Sequence, residues 1–338
     1  MKNYFTLVFV LFIFIAKAQD ISPVEYMGLF NVYYADISAQ NWEYTSAIAR
    51  GKKAKKIEKN RQKLLESISF AIQNIKRIKD FNGDNKFKEA YLNYLDVSEK
   101  VLKEEYEEIM DLEDIAEQSY DLMEAFILAK EKASEKMNEA QSQLNAEQKR
   151  FAKDNDITLL ENTSELENKL QKSSLVFKFY NDMYLIFFKS FKNDLYLSDA
   201  IQMNDVSAID QNKTSAKVYG EEGIEKLNKL GEFDGDKLLS NACLELLNFY
   251  IKDSENTLAI DFILEQEKLN TMQNVMDKKK KSDITQKDVD NFNSLVKSSN
   301  KLLDEFNKYN EQSFKEKSKL VDAWNKQVQS FLDRHVPK

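Results

Sequence analysis

Apolar residues recur at steps of three and four along most of the chain, the spacing that places side chains on one face of an α-helix. The clearest early stripe consists of Ile57, Leu64, Ile68, Ala71, Ile72, Ile75 and Ile78. A second stripe consists of Phe87, Ala90, Tyr91, Tyr94 and Leu95. A longer stripe runs from Leu112 to Phe151 with steps that approach a heptad. The first half is therefore predicted to contain amphipathic helices, the last of them long.

The second half shows the same periodicity with more aromatic residues. Residues 175–197 are rich in Phe and Tyr, yet lysines and Asp182 are interspersed, which argues against a membrane span. We predict a central bundle helix here, and the alternative is a segment that inserts or docks after a rearrangement. A long stripe from Phe292 to Phe331 predicts a closing helix, with Thr285 and Asp288 as its capping box.

The two halves resemble each other at an offset of 152 residues. This shift places the sequence Phe-Asn-Gly-Asp of residues 81–84 on Phe-Asp-Gly-Asp of residues 233–236. Upstream, the shift aligns Ile72, Ile75 and Ile78 with Ile224, Leu227 and Leu230. We predict that Gly83 and Gly235 end a helix with positive φ, and that the aspartates which follow them, Asp84 and Asp236, cap the next helix. The alternative is two unrelated helical hairpins.

Polar residues from Lys153 to Ser164 interrupt the helical pattern and mark a boundary between the halves. We predict an all-α protein with two tandem, internally duplicated bundles of the four-helix type, residues 19–160 and 161–338, each with a long closing helix. The composition agrees, because 7 Gly and 2 Pro in 338 residues allow few tight turns. A β-architecture needs many such turns.

The N-terminus predicts export. Lys2 precedes an apolar run from Phe5 to Ile15, and small residues at positions 16 and 18 then favour cleavage before Gln19. Residues 1–18 are therefore predicted to be a Sec signal peptide, with an N-terminal membrane anchor as the alternative. The apolar run is too short to span a bilayer as a helix. The formal net charge of −8 argues against binding to nucleic acid.

The sequence contains little material for catalysis. Cys243 is the only cysteine, so no intramolecular disulfide is possible, and its apolar setting predicts a buried side chain. His335 is the only histidine, and we expect it to fray at the C-terminus. The residues after Asp80 lack the spacing of a calcium loop. The acidic run from Glu104 to Glu117 and the lysines at 278–281 predict solvated surface. No catalytic, cofactor-binding or metal site is predicted, and we do not expect an enzyme.

The signal peptide, the two helical halves and the ending from Trp324 to Lys338, which includes Arg-His-Val-Pro at 334–337, resemble an uncharacterised family of helical surface proteins from Bacteroidetes and spirochaetes. The resemblance implies an exported protein and brings no family function. We expect a non-enzymatic envelope or cell-surface protein that binds another macromolecule through helix faces. The alternatives are an α-helical membrane-inserting or pore-forming protein, which would insert residues 175–197, and an extracytoplasmic small-ligand-binding module.

Overall fold

The computed structural model describes residues 21–105, 115–159 and 164–338. Of these residues 85% are helical, and they contain no β-strand. The prediction of an all-α helical bundle is confirmed. Among the helices of the described ranges, none combines the length and the apolar character that crossing a membrane requires. The predicted signal peptide lies outside the described residues and stays a prediction.

Four α-helices form the described part of the first half. They are α1 (Pro23–Ala49), α2 (Ala54–Ile75), α3 (Lys86–Lys100), which continues into a π-helical turn (Val101–Glu105), and α4 (Tyr120–Asp154). Along the chain, α1 packs against α2, α2 against α3, and α3 against α4. Hydroxyl groups cap two of them, because Ser22 accepts a hydrogen bond from the Glu25 amide and Ser119 accepts one from the Leu122 amide.

The second half contains one helix more than the four-helix type predicted from its sequence. Its helices are α5 (Glu165–Gln202), α6 (Val206–Leu230), α7 (Leu238–Ser254), α8 (Leu258–Lys278) and α9 (Gln286–His335). The additional helix is α8, which pairs with the first part of α9. The predicted capping box of Thr285 and Asp288 is present at the start of α9. With 50 residues, α9 is about 75 Å long.

Helix α5, which includes residues 175–197, occupies the centre of the fold. It packs against α1, α4, α6, α7 and α9. Val176 and Met183 are completely buried. The rings of Phe187 and Trp324 stack at a centroid distance of 4.7 Å, which joins α5 to α9. Phe179, Phe187 and Phe188 of this segment are buried in the core of the second half.

The hydrophobic clusters do not follow the proposed boundary at residue 160. One cluster joins α1, α2, α3 and α4 and contains the buried rings of Tyr26, Phe30 and Phe151. The larger cluster is centred on α5, but Ala49 of α1 and Met123 and Ile127 of α4 belong to it. The two halves therefore share part of one core because α1 and α4 both pack on α5.

Candidate functional site

The two Gly-Asp turns have the same backbone conformation. Gly83 and Gly235 have φ angles of 87° and 81°, and the residues before them have φ angles of 51° and 49°. In each turn the first and fourth residues form an isolated antiparallel bridge, Phe81 with Asp84 and Phe233 with Asp236. Most side chains are strained at the φ angles of the two glycines, whereas Asn82 and Asp234 are of the residue types that tolerate positive φ. Both turns therefore use glycine for the same steric reason. The prediction that these glycines end a helix is wrong, because α2 ends at Ile75 and α6 ends at Leu230, with Gly231 as its C-cap.

The aspartates of the two turns hold the start of the next helix. The Asp84 carboxylate accepts a hydrogen bond of 3.0 Å from the Lys86 amide, at the first residue of α3. The Asp236 carboxylate accepts one of 2.9 Å from the Leu238 amide, at the first residue of α7. A carboxylate at this place satisfies an amide that has no partner within the helix.

An arginine from the closing helix binds each of these aspartates. Nη2 of Arg150, in the last turns of α4, lies 2.8 and 3.1 Å from the two carboxylate oxygens of Asp84. Nε and Nη2 of Arg334, at the end of α9, lie 2.9 and 2.5 Å from Oδ2 of Asp236. Each turn is therefore anchored to the far end of a closing helix by a charge-assisted pair. The sequence predicted no contact with the turn aspartates for either arginine.

His335 is a third partner of Asp236, so the prediction that it frays is wrong. Its Nε2 lies 2.8 Å from Oδ2 of Asp236. The imidazole packs on the rings of Phe233 and Phe331 at centroid distances of 5.1 and 4.7 Å. Only 14% of the side chain is exposed. The end of α9 is ordered because one carboxylate and two aromatic rings hold this histidine.

The electrostatics of both turns favour ionised aspartates. Burial opposes ionisation of Asp236, but hydrogen bonds from His335, the Leu238 amide and Arg334 outweigh it and lower the pKa of Asp236 below its ordinary value. The pKa of Asp84 is lowered in the same way by the Lys86 amide and Arg150, again against the effect of burial. An ionised carboxylate of this kind accepts several hydrogen bonds and holds the groups that donate them in place. The observed geometry supports an anchoring role for both.

We predict that valine in place of Gly83 or Gly235 destabilises the folded chain by about 1–3 kcal/mol, because a β-branched residue is strained at positive φ. Apart from the two chain neighbours of each glycine, no atom of the described residues lies within 4 Å of the position that a Cβ would take in either turn, so the cost comes from the backbone alone. Asp84→Ala and Asp236→Ala should each cost about 0.5–2 kcal/mol for the lost cap. Urea denaturation followed by circular dichroism measures these values.

Gly28 provides the control for this prediction. It lies inside α1 with open space around it, so Gly28→Ala should be neutral or slightly stabilising. A result in which one turn is sensitive and the other indifferent to the same substitution would contradict the equivalence of the two turns.

The core of the second half contains a cluster of polar side chains. Nζ of Lys317 lies 2.9 Å from Oδ2 of Asp194, whose side chain is only 6% exposed. Oδ1 of Asp253 accepts hydrogen bonds of 2.7 Å from both Tyr309 and Ser313. Burial raises the pKa of Asp194, and Lys317 only partly opposes this effect. The cluster links α5, α7 and α9, so it adds polar contacts to the apolar packing of these helices.

Two buried hydroxyl groups lie on the helices of this cluster. The hydroxyls of Tyr250 and Ser190 are buried and have no hydrogen-bond partner within the described part of the protein. Asp194 and Asp253 raise the pKa of Tyr250, although burial is the larger cause. Ser190 lies one helical turn before Asp194 on α5.

Two grooves on the described surface lie away from this cluster. A shallow groove of about 380 Å³ is lined by Tyr120 and Glu124 of α4, by α5, and by Lys226 and Lys229 of α6. A second groove, of about 290 Å³, lies between α3 and α4. Within the described ranges, no group of three acidic, histidine or cysteine side chains could hold a metal ion. Of the acidic run, residues 106–114 lie outside the described residues.

Cys243 is completely buried inside α7, and burial raises the pKa of its thiol to about 12. The thiol is therefore protonated at neutral pH, and a protonated thiol is a poor nucleophile. The burial of Cys243 agrees with the prediction from its apolar sequence setting. His335 and Cys243 form no catalytic pair, because the contacts of His335 are with Asp236, Phe233 and Phe331.

Helix α8 and the first part of α9 form an antiparallel hairpin, residues 262–306. Three contacts define its register, namely the stacked rings of Phe262 and Phe306, the hydrogen bond from Gln266 to Ser299, and the ion pair of Lys279 with Asp288. The apolar residues between its helices are only half-buried, and they are Leu269, Met272, Met276, Val289, Phe292, Leu295, Val296, Leu302 and Leu303. In the main bundle, by contrast, the equivalent seams contain fully buried rings.

One side of this hairpin carries no charged residue over most of its length. On α9, Val289, Val296 and Leu303 lie seven residues apart beside the seam. The adjoining line on the same helix consists of Gln286, Asn293, Asn300 and Asn307. On α8, this side carries Gln266, Asn270 and Gln273. We call these ten residues the uncharged face, and its three asparagines on α9 are exposed.

The fold and these surfaces define an all-α helical-bundle protein with an antiparallel two-helix hairpin. Comparison of the chain with protein-family models, with curated proteins and with solved structures gives no match.

Proposed function

We propose that this chain is an exported, non-enzymatic helical protein of the bacterial envelope or cell surface, and that it binds another macromolecule through the uncharged face of the hairpin. The observation that carries the proposal is the hairpin itself. Its apolar seam is half-buried along its whole length, which is typical of a surface that a further helix or protein covers. The predicted signal peptide supports export.

The proposal gains support from a comparison of the two halves, which we propose arose by duplication. Helices α2 and α6 begin 152 residues apart, as do α3 and α7. Asn60 of α2 donates a hydrogen bond to the Glu43 carbonyl, and Asn212, 152 residues later, donates one to the Tyr196 carbonyl. Turns with φ angles of 55° at Gly51 and 54° at Asn204 follow α1 and α5.

Under this proposal the hairpin is an addition to the second unit. The aspartate of the turn and its arginine are 66 residues apart in the first unit (Asp84 and Arg150) and 98 apart in the second (Asp236 and Arg334), a difference of 32. The interval with the 32 additional residues contains α8 and the part of α9 that pairs with it. An element that the rest of the repeat does not require is a good candidate for the part that carries function.

Asn300→Glu is expected to abolish capture of the partner, because it places a charge on the exposed part of the uncharged face. The measurement immobilises residues 19–338, incubates them with envelope extract and quantifies the bound proteins. The matched control is Ser294→Glu, which places the same charge on the opposite side of α9, also at an exposed residue. Equal capture by both variants and the wild type would count against this face.

Membrane insertion of residues 175–197 is a less favoured function. Insertion would require α5 to separate from five neighbouring helices and would expose Val176, Met183 and Phe188, which are buried in the core. A vesicle leakage assay discriminates between the two functions, since a protein that binds through the hairpin should not release the contents of liposomes.

A further inference from the structure

The hydroxyl of Tyr250 is a buried hydrogen-bond donor that the surrounding protein does not satisfy. Tyr250 is 2% exposed, and its hydroxyl has no hydrogen-bond partner among the described residues. The hydroxyl of Ser190, which is completely buried on α5, is in the same situation. A buried hydroxyl without a partner costs stability, so native proteins satisfy nearly all such groups with a protein atom or with an ordered water. The two hydroxyls therefore point to a bound group.

The contacts between α5 and α9 define the position of Ser190. The two helices run antiparallel, because Phe187 stacks on Trp324 while Asp194, seven residues later, bonds Lys317, seven residues earlier. Ser190 lies between these two contacts and one helical turn from Asp194. Ser190 and Asp194 therefore lie on the same side of α5, the side that faces α9.

Tyr250 reaches the level of Asp194 from α7. Asp253, one turn after Tyr250, accepts a hydrogen bond of 2.7 Å from Ser313 of α9, which is one turn before the lysine that binds Asp194. Long side chains on a helix lean toward the N-terminus of that helix, which carries the Tyr250 hydroxyl toward the level of Asp194. Burial is the main cause that raises the pKa of Tyr250, and Asp194 is the first of the charged groups that raise it further. The hydroxyl and this carboxylate are therefore close to each other.

Water has the hydrogen-bonding capacity that these groups require. It can accept the hydroxyl protons of Tyr250 and Ser190 on its two lone pairs and donate to the Asp194 carboxylate. A buried water commonly makes about three hydrogen bonds to polar groups that otherwise have no partner. A cation fits less well, because Lys317 already places a positive charge 2.9 Å from Asp194 and the two hydroxyl protons need an acceptor. An anion would be repelled by the carboxylate.

We propose that one buried water molecule binds between α5 and α7 and joins the hydroxyls of Tyr250 and Ser190 to the carboxylate of Asp194. The water links two helices of the core through polar contacts and gives Asp194 a hydrogen bond beside its ion pair with Lys317. This inference is independent of the proposed function, since none of these residues belongs to the hairpin.

Removal of either hydroxyl tests this inference in the chain of residues 19–338. Tyr250→Phe and Ser190→Ala should each raise the equilibrium constant of unfolding by about fivefold, because a hydrogen bond to the water is lost. A hydroxyl with no partner at all gives the opposite result, since its removal leaves this constant unchanged or lowers it. That result for either variant overturns the inference. Urea denaturation followed by circular dichroism measures the constants.

Two matched substitutions serve as controls. Tyr33→Phe removes a hydroxyl at a residue of α1 that is partly open to solvent, and Ser294→Ala does so at an exposed residue of α9. The serine control also measures the gain in helix propensity that alanine brings. The effect at each buried hydroxyl is taken relative to its control.

The double variant Tyr250→Phe with Ser190→Ala tests whether the two hydroxyls share one water. If they do, the first substitution already weakens the binding of the water, and the double variant should raise the unfolding constant by clearly less than the product of the two single effects. A double effect equal to that product would assign the two hydroxyls to separate partners and would overturn the shared site.

A high-resolution crystal structure of residues 19–338 tests the position of the water directly. One water should lie within about 3.2 Å of the hydroxyl oxygens of Tyr250 and Ser190 and of a carboxylate oxygen of Asp194. A dry contact between these side chains overturns the inference. A midpoint of thermal unfolding that differs between sodium and potassium chloride at equal concentration, together with a cation at this position, also overturns it.

Discussion

Replacement of Trp324 by alanine is expected to destabilise the protein by about 3–5 kcal/mol, the usual cost of removing a large ring from a packed core. Trp324 is 1% exposed and stacks on Phe187 of the central helix. The removed side chain leaves a cavity between α5 and α9 that neighbouring residues can fill only in part. Urea denaturation monitored by circular dichroism gives the change in the free energy of unfolding.

Phe314 supplies the control for this substitution on the same helix. It is 68% exposed, so Phe314→Ala should change the free energy of unfolding by no more than about 0.5 kcal/mol. Similar losses at both positions would show that α9 does not pack on α5 through Trp324. A loss confined to Trp324 supports the described core.

Lys317→Met is expected to cost about 3 kcal/mol, because it leaves Asp194 buried without its positive partner. This expected loss of stability is at the lower end of the range for buried ion pairs, since the Lys317 side chain remains 24% exposed. The double variant with Asp194→Asn removes the unpaired charge and should recover most of the loss. A double-mutant cycle by urea denaturation measures the coupling.

The effect of Lys317→Met should depend on pH. Burial already raises the pKa of Asp194 above its ordinary value of 3.8, so the folded chain holds this proton more tightly than the unfolded chain does. The stability contributed by Asp194 therefore falls as the pH rises from 3.8 through the raised pKa, and loss of Lys317 enlarges the fall. The variant should differ least from the wild type in acid and most at neutral pH. A pH-independent difference would contradict this assignment.

The turn aspartates have the opposite pH dependence. The pKa values of Asp84 and Asp236 are lowered in the fold, so their contribution to stability is complete above the ordinary value and is lost as the pH falls through the lowered one. Acid should therefore weaken the anchoring of both turns. At the same pH, protonation of Asp194 removes a buried negative charge.

The features that the sequence predicted correctly are local. The helical class follows from apolar spacing within each helix, and the capping box of Thr285 and Asp288 involves residues three apart. The conformation at Gly83 and Gly235 is likewise decided by a few consecutive residues, because glycine is the residue that adopts positive φ without strain.

The features that the sequence did not predict depend on distant residues. Arg150 and Arg334 reach aspartates 66 and 98 residues away, and Lys317 reaches Asp194 across 123 residues. No spacing rule identifies such partners. His335 was expected to fray because only its place near the C-terminus was considered, whereas the fold supplies Asp236 and two aromatic rings.

Helix α8 was not predicted from the sequence, for a different reason. The polar Glu265 lies between Phe262 and Leu269 in its seam, while Leu264 and Val275 are exposed on another side. The apolar residues therefore do not define one clear stripe, and the pairing with α9 provides the order that the sequence pattern lacks. The sharing of a core across residue 160 was also not evident, because it depends on how α1 and α4 pack on α5.

The continuity of α9 has a mechanical consequence. Its 50 residues contain neither glycine nor proline, so the helix has no hinge between the hairpin and the bundle. A stiff rod about 75 Å long transmits force with little loss. A pull on the tip of the hairpin therefore acts on Trp324 and on the contact between Arg334 and Asp236 at the opposite end. Tension applied to the hairpin is therefore resisted by contacts inside the bundle. Detaching the hairpin by force requires work to open these core contacts as well.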